Sequence, residues 1–424
     1  MTSPHHAGFA IGIDLGTSNT VAVLRSPDGR TRPLLFDGQP IMPSVVCLDE
    51  SGRLHVGRDA QRIAQLDPAR CEPNPKRRID ERAVLLGDRE VPVVHLLAAI
   101  LKAIADKAVE TVGFLPQAAL THPAAWGQTR RAALLEAVRL AGWPPVRLVP
   151  EPIAAARYFA EVLRRPVPVG ASIAVFDFGG GTLDVAVVRN EDPADPRLAG
   201  RSSFTVSGSG GDESLGGLDL DDVLVRHVGQ LIETSHPQIW QHLAQPQSTA
   251  DRRYRRLFWE DVRGAKEMLS RSTTAPVPVP GVDHAVHMTR DELERLTGPL
   301  LDRAVGVTLD TVSRAGLRAD QLAGMFLVGG SSRVPLVARM LHSRLGVAPT
   351  VLEQPELPVA EGALAELVPQ VEPAPTVQFG GMPAPVSTAP TSGGVPGAGD
   401  PTVAMPASGG PAGGPHGPVG AVPV

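Results

Sequence analysis

The sequence predicts an α/β fold built from two similar halves, because two β-hairpins of the same design lie far apart with helices between them. The hairpins are IGIDLGTSNT at 11–20 and FDFGGGTLDVAVV at 176–188. On both sides of each turn, apolar residues recur at every second position, the period of a half-buried strand. A third glycine-bearing segment, FLVGGSSRVPLV at 326–337, is typical of a strand followed by a helix.

The two hairpin turns share a chemistry that suits an anion. The first strand of each hairpin ends near an aspartate, Asp14 or Asp177, and a turn of glycine and hydroxyl residues follows. Glycine permits backbone conformations that a side chain forbids, so successive N–H groups can converge on an anion. Two such turns, each with a carboxylate at its base, suit a triphosphate and its magnesium ion held between two lobes.

Apolar residues at helical spacing predict the helices that flank these strands. Gly142, followed by two prolines, is expected to end the second of them. The proline-rich segment 164–170 is interpreted as the crossing into the second half. The predicted helices cover 93–112, about 128–141, the IAAARYFAEVL stretch after Glu151-Pro152, about 251–270, about 289–315, and a segment starting near Val334-Pro335.

Length and composition restrict the class of protein. A chain of 424 residues suggests two or more domains, and a net charge of −5 offers no basic stripe for nucleic acid. The longest apolar stretch, around 91–101, is too short to span a bilayer, and no signal peptide is recognised at the start. Cys47 and Cys71 form no zinc or redox pattern, so we expect two ordinary thiols in a reducing cytoplasm.

Beyond Leu367 the composition changes to proline and glycine, without Lys or Arg and with only Glu372 and Asp400 as acids. Such a segment cannot bury enough apolar surface to offset the entropy of ordering, so residues 367–424 are expected to be disordered. It is interpreted as a solubilising tail, or alternatively as a tether that presents proline turns to a partner.

The three glycine motifs resemble the phosphate-one, phosphate-two and adenosine motifs of the seventy-kilodalton heat-shock (DnaK-type) chaperones. The similarity continues in unbroken order over about residues 9–366. Further matching segments are LTHPAAWGQTRRAALLEAVRLAGW, RLVPEPIAAARYFA, SGSGGDESLGGLDLDDVLVRH and EQPELPVAEGALA. Asp177-Phe178-Gly179 also spells the kinase magnesium motif, but no kinase catalytic loop or glycine-rich lid accompanies it, so we reject that match.

The resemblance implies the actin-like ATPase fold, with two lobes around an ATP cleft, each built on a mixed sheet with flanking helices. The implied division is lobe I at 1–167 with a shortened outer part at about 39–94, lobe II at 168–366 with an outer part at about 212–285, and the tail at 367–424.

The resemblance also implies which residues bind and hydrolyse ATP. Asp14 and Asp177 would lie beside magnesium through its water shell, with Glu151 as a third acid. Lys76 would orient the attacking water and stabilise charge on the γ-phosphate, and Asp184 would accept a proton or hold water. The phosphates of ATP or ADP would be wrapped by Gly16, Thr17, Ser18 and Asn19 on one side and by Gly179, Gly180, Gly181 and Thr182 on the other.

For the nucleoside, the resemblance implies a second group of residues. They are Lys266 and Ser270 on one helix, Gly329, Gly330, Ser331 and Arg333 in the third motif, and Glu356 in the last matching segment.

This sequence also departs from the family. Glu267 stands where eukaryotic members place an Arg against adenine, Arg263 stands where they place a Glu, and Leu218 replaces an acid. The region between Arg78 and Val93 is shorter than in the family. Nothing after Leu367 has the pattern of the β-rich peptide-binding domain.

Two functions of different classes remain open from the sequence. The first is a slowly hydrolysing, chaperone-like ATPase with magnesium as cofactor and without a peptide-binding domain. The second is a nucleotide-gated scaffold or regulator with little or no turnover. In either case we expect a monomer in the cytoplasm that meets protein partners (a co-chaperone, an exchange factor or a client), but neither nucleic acid nor membrane. Fold alone does not separate these functions from an actin-like filament or a small-molecule kinase, which we consider remote.

Overall fold

The computed structural model describes residues 8–192 and 202–367. The predicted tail at 367–424 lies, apart from Leu367 itself, outside the described residues. Within them, every helix is too short or too polar to cross a membrane.

The first hairpin forms the centre of a mixed six-stranded sheet. The two strands of the hairpin pair in antiparallel register, with Asp14 opposite Val21, as the alternation predicts. On its other side the first strand pairs in parallel with the strand Gln117–His122, so the carboxyl ends of these two strands meet at one edge of the sheet. The strands of this sheet are β1 (Ala10–Leu15), β2 (Asn19–Arg25), β3 (Thr31–Pro33), β4 (Ile41–Pro43), β10 (Gln117–His122) and β11 (Arg147–Pro150), in the order β11-β10-β1-β2-β3 with β4 also on β2.

The second hairpin forms a five-stranded sheet with the same mixed character. Its two strands are antiparallel, with Asp177 directly opposite Asp184. The strand of the third glycine motif pairs in parallel with the first strand of this hairpin, again bringing two carboxyl ends together. The strands are β12 (Ser172–Phe178), β13 (Leu183–Glu191), β14 (Ser203–Asp212), β17 (Leu322–Val328) and β18 (Pro349–Thr350), in the order β14-β13-β12-β17-β18.

Short strands between residues 46 and 92 form two small sheets beside the first. They are β5 (Val46–Leu48), β6 (Leu54–Val56), β7 (Cys71–Glu72), β8 (Ala83–Leu86) and β9 (Arg89–Pro92), paired as β6-β5-β7 and β8-β9. The prediction of two ordinary thiols is wrong, because Cys47 and Cys71 are direct partners on β5 and β7 and form a disulfide. A separation of 24 residues conceals this pairing in the sequence.

The helices follow the predicted pattern where apolar spacing is strong, and the helix predicted over 93–112 is confirmed at those bounds. The helix predicted after Glu151-Pro152 begins at Glu151 itself, because proline in the first turn requires no N–H partner there. It continues as a π-helical turn, Tyr158–Val162. The α-helices are α1 (Gly57–Leu66), α2 (Val93–Val112), α3 (Gln128–Leu140), α4 (Glu151–Arg157), α5 (Gly217–Ser235), α6 (Pro237–Ala244), α7 (Thr249–Leu269), α8 (Arg290–Arg314), α9 (Pro335–Leu345) and α10 (Pro358–Ala365). A two-stranded sheet, β15 (Thr274–Val277) and β16 (Val286–Thr289), packs with α5, α6 and α7 around a core of its own.

Helices α4 and α10 join the two large sheets through a shared core. That core contains Val23 from β2 and Val175 from β12 together with alanines of both helices. The helices approach so closely that a Cβ on Gly362 would lie 1.8 Å from the carbonyl oxygen of Ala154. Glu151 is therefore the first residue of a rigid helix that packs between the two sheets. The predicted lobe boundaries at 167 and 168 stay a prediction, since the described residues form one compact unit.

Candidate functional site

A cavity of about 1280 Å³ opens where the turns of the two hairpins meet. It collects nearly all the residues that the sequence singles out, from segments more than 300 positions apart. Gly181 is the exception, since it is buried behind the lining, with the side chain of Thr17 against it. The predicted residues that line the cavity are Asp14, Gly16, Thr17, Ser18, Asn19, Lys76, Glu151, Asp177, Gly179, Gly180, Thr182, Asp184, Lys266, Ser270, Gly329, Gly330, Ser331, Arg333 and Glu356.

The glycines of the two turns are required by close approach of the chain. A Cβ on Gly180 would lie 2.2 Å from the hydroxyl oxygen of Ser18, and one on Gly181 would lie 2.7 Å from the Thr17 methyl carbon. Within the first turn, a Cβ on Gly16 would lie 2.1 Å from the carbonyl oxygen of Asn19. The two turns therefore lie close together and bring glycine backbone to the lining of the cavity, which suits an anion held by N–H groups.

Four carboxylates converge below the turns. Asp14 lies on β1, Asp177 and Asp184 on paired strands of the second hairpin, and Glu151 at the start of α4. Burial and the neighbouring Glu151 raise the pKa of Asp14 to about 6, and the same two causes raise the pKa of Asp184 to about 6. Burial, Glu151 and Asp184 also raise the pKa of Asp177 well above its usual value. This part of the site carries more negative charge than its surroundings stabilise.

Lys76 supplies a positive charge among these acids. It lies on the 3₁₀ turn Pro75–Arg78, and its Nζ donates to Glu151 Oε1 at 2.8 Å, with both side chains nine-tenths buried. Burial alone would lower the pKa of Lys76, but Glu151 and Asp14 raise it above its ordinary value. Lys76 is therefore a charged lysine at the pH of any cell.

Two contacts at this end of the cavity were missed by the sequence analysis. The buried hydroxyl of Thr121 donates to Asp14 Oδ1 at 2.7 Å, and the ring of Trp126 lies 5.6 Å from Lys76 Nζ. Thr121 could have been found, because it is the next-to-last residue of a strand that runs parallel to β1, and carboxyl ends of such strands meet. Nothing in the spacing of Trp126 indicates its place.

Magnesium fits these residues if it is bound through its water shell. Within residues 8–192 and 202–367, no three His, Cys, Asp or Glu side chains are arranged to hold a metal ion directly. Magnesium in nucleotide sites usually keeps several waters and uses only one or two carboxylates. The raised pKa values of Asp14 and Asp177 are the electrostatic condition that a cation would relieve.

The third glycine motif lines the cavity beside the second turn. Gly329 has φ of 81°, and a Cβ there would lie 2.5 Å from the Phe178 carbonyl oxygen and 2.6 Å from Asp177 Oδ1. The hydroxyl of Ser331 donates to the carbonyl oxygen of Gly179 at 2.8 Å. These contacts place the third motif directly against the second turn, so that phosphate and nucleoside contacts can belong to one ligand.

Charged side chains near the third motif are paired with one another. Lys266 Nζ lies 2.7 Å from Asp221 Oδ1, and Arg263 donates to Asp221 Oδ2 at 3.0 Å. Asp221, which the sequence analysis missed, is 1% exposed and pairs with both cations. Across the cavity, Arg333 donates to Glu356 Oε2 at 3.1 Å.

The departures Glu267 and Leu218 also lie at the cavity. Glu267 is exposed on α7, where it lines the cavity, and the backbone N–H of Leu218 donates to the carbonyl oxygen of Gly180 at 2.8 Å. Residue 218 therefore contacts the second turn through its backbone, whereas Glu267 places a carboxylate at the cavity.

Comparison with known proteins agrees with this architecture. A family profile described as "Hsp70 protein" matches residues 82–367, about two thirds of the chain. The chain is 32% identical over 387 residues to the "Chaperone protein HscA" of Klebsiella pneumoniae, covering 85% of this chain and 58% of that protein. It is likewise 32% identical over 390 residues to proteins named "Chaperone protein HscA homolog" from Burkholderia pseudomallei and Burkholderia mallei, with the same two shares covered. The chain thus spans 58% of the length of these relatives. The chain belongs to the Hsp70 family.

Proposed function

We propose that this chain binds ATP between its two hairpin turns and hydrolyses it to ADP and phosphate. The observation that carries the proposal is the convergence of Lys76 and four carboxylates below two closely spaced glycine turns, in one cavity with the third glycine motif. Phosphoryl transfer to water depends on positioning and on stabilisation of charge, and this arrangement supplies both.

Each residue has a role that its contacts support. The backbone N–H groups of the two turns would bind the phosphates, and Lys76, held by Glu151, would stabilise charge on the γ-phosphate. Asp184, which accepts a hydrogen bond from Thr182 at 3.0 Å, would hold the attacking water or accept its proton. Magnesium, when bound through water beside Asp14 and Asp177, would neutralise phosphate charge.

Lys266, Ser270, Arg333 and Glu356 would contact the nucleoside. The chain's own carboxylate at Glu267 is a hydrogen-bond acceptor where eukaryotic relatives of this type carry an Arg. A purine amino group could donate to it. We therefore expect the base to be held differently from the way those relatives hold it.

The finer features of the proposal rest on the resemblance. The printed names of the relatives are those of chaperones, and we propose a chaperone-type role, with slow turnover and a co-chaperone, exchange factor or client as partner. Because the chain spans 58% of those relatives, the proposal concerns the nucleotide domain, and peptide binding is left to whatever accompanies it. Monomeric state and cytoplasmic location remain predictions, and the disulfide does not support the latter.

Phosphate release from ATP with magnesium tests the proposal. We expect the wild-type chain to release phosphate and Lys76→Ala to lower kcat by on the order of a hundredfold, because the γ-phosphate loses its cation. Lys102→Ala is the matched control, since Lys102 pairs with Asp106 on the exposed face of α2 and should leave the rate unchanged. Equal rates for wild type and Lys76→Ala would remove Lys76 from the mechanism. Tight nucleotide binding without any turnover would favour the scaffold or regulator instead.

A further inference from the structure

We propose that Cys47 and Cys71 form a reversible thiol–disulfide site, which reacts with dithiols and whose redox state sets the position of Lys76. The inference rests on the proposed function for its effect on catalysis. The site itself is defined by the two sulfur atoms and by the chain that leads from them to the cavity.

The disulfide is the covalent tie between strand β7 and strand β5. That strand consists of Cys71 and Glu72 alone, and it lies at the edge of its sheet, paired with β5 at two positions. One of those two positions is the bonded pair itself. Reduction therefore leaves β7 attached through backbone hydrogen bonds at a two-residue edge, which are weak individually.

Both oxidation states can be accommodated without moving the sulfur atoms far. Cys47 Sγ lies 3.0 Å from the carbonyl oxygen of Ala60, and Cys71 Sγ lies 3.7 Å from that of Asp67. A thiol is a weak hydrogen-bond donor, so each cysteine has an acceptor waiting when it carries a proton. The environment therefore does not force the disulfide form.

A short and stiff segment connects this site to Lys76. Cys71 precedes Lys76 by five residues, and the intervening segment contains Pro73 and Pro75, which restrict the backbone. Glu72 Oε1 accepts the backbone N–H of Asn74 at 2.9 Å, and the Asn74 side chain accepts from the Ser18 hydroxyl at 3.5 Å. A shift of β7 is thus carried to the first phosphate turn and to Lys76 instead of being absorbed between them.

The chemistry balances with a dithiol as the other reactant. Cys47 is fully buried and Cys71 is half-buried, so a thiolate of the dithiol attacks the sulfur of Cys71. Cys47 leaves as a thiolate and takes a proton. The second thiolate of the reductant then displaces Cys71, which is protonated in turn, and the reductant becomes a cyclic disulfide. Two electrons move to the protein, and the reverse reaction with an oxidised dithiol restores the bond.

The test poises the purified chain in reduced or in oxidised dithiothreitol and confirms each state by iodoacetamide alkylation and mass spectrometry. ATP hydrolysis and backbone hydrogen exchange over residues 72–78 are then measured in both states. We expect faster exchange at 72–78 and a kcat lower by on the order of tenfold in the reduced state, because a misplacement of about 1 Å is costly at a reacting centre. The double variant Cys47→Ser, Cys71→Ser should stay at the reduced rate under both conditions.

The outcomes are distinguishable. Failure of reduced dithiothreitol to open the bond, or of oxidised dithiothreitol to form it, would overturn the redox site. Equal exchange at 72–78 in chains that alkylation shows to be oxidised and reduced would overturn the transmission from β7 toward Lys76. Equal kcat values in an active protein would overturn the link to Lys76. A clear difference in exchange without phosphate release in either state would support the redox site and reject the proposed ATPase. The wild-type comparison stands even where the double variant does not fold.

Discussion

The hydroxyl of Thr121 donates a hydrogen bond to Asp14 Oδ1 at 2.7 Å, which joins the ends of two parallel strands at the floor of the cavity. Thr121 is 1% exposed, so its hydroxyl has a fixed position. It stabilises the ionised form of a carboxylate whose burial favours the neutral form. Thr121 is thus a positioning residue for Asp14.

Thr121→Val should therefore remove the hydrogen bond to Asp14 while keeping the volume of the side chain. We expect the magnesium-dependent affinity for ATP to fall by about tenfold, since a hydrogen bond to a charged group contributes about 1.5–3 kcal/mol. Thr121→Ser should restore most of the loss, because it returns the donor. Thr308→Val is the control, since the hydroxyl of Thr308 is equally buried but donates to Ala304 within α8. If both valine variants bind ATP as wild type does, the Thr121 contact has no role in binding.

The raised pKa of Asp184 predicts how stability depends on pH. Because the folded-state pKa of about 6 exceeds the ordinary value of 3.8, ionisation of Asp184 destabilises the folded chain. The penalty is absent below pH 4, grows between pH 4 and 6, and reaches on the order of 3 kcal/mol above pH 6. Asp184→Asn should raise the thermal midpoint of the nucleotide-free protein at pH 7.5, and this gain should vanish near pH 4.

Substitution of Asp49 should shift the thermal midpoint in the opposite direction. Hydrogen bonds from Ser51 and His55 hold the pKa of Asp49 below its usual range, so its ionised form stabilises the fold. Asp49→Asn should lower the thermal midpoint at pH 7.5 and have less effect in acid. A lower midpoint at pH 7.5 for Asp184→Asn would contradict the account of crowded carboxylates.

Gly329 should not tolerate a side chain, because an added Cβ would clash with its neighbours. Gly346 serves as the comparison that separates this clash from backbone strain. Gly329 and Gly346 both have positive φ, near 81° and 73°. An added Cβ meets Phe178 and Asp177 at Gly329, whereas it meets nothing within 4 Å at Gly346. Gly346→Ala should lose about 1 kcal/mol of folding stability from backbone strain, and Gly329→Ala should lose more, because its Cβ also clashes. Only Gly329→Ala should also lose nucleotide affinity, measured with a fluorescent ADP analogue, and equal affinities would argue against a tight third motif.

Asp221 should contribute to nucleotide affinity and not to the rate at saturation. It pairs with Arg263 and with Lys266, which is proposed to contact the nucleoside. Asp221→Asn should raise the Kd for ADP by about tenfold and leave kcat unchanged, the behaviour of a uniform binding contact. Asp222→Asn is the matched control on the next position of α5, where Asp222 pairs with Arg226 on the surface. A fall in kcat with unchanged Kd would place Asp221 in the chemistry instead.

The sequence predicted those parts of the fold that depend on local pattern. The alternation around Asp14 and Asp177 predicts both hairpins, and the apolar stripe over 93–112 predicts α2. Glycine turns are visible for the same reason, because only glycine permits the close approach seen at Gly180. Short elements with weak periodicity, such as α1 and β5 to β9, were not predicted individually.

Contacts that depend on strand register were not visible in the sequence. The bond between Cys47 and Cys71 arises because β5 and β7 pair at that one register, which no local pattern encodes. Asp221 lies at a buried position of α5, but nothing in the local sequence distinguishes it from an exposed polar residue of a helix. The resemblance to the family assigned distant residues to one site. The structure adds the neighbours that hold those residues in place, such as Thr121 and Asp221.

Isothermal titration calorimetry of the purified chain with ATP and with ADP, in the presence of magnesium, tests the central claim most directly. The account predicts heat of association with both nucleotides at one site per chain, because the two turns and the third motif form a single cavity. No heat with either nucleotide would contradict the claim that the hairpins bind one nucleotide between them.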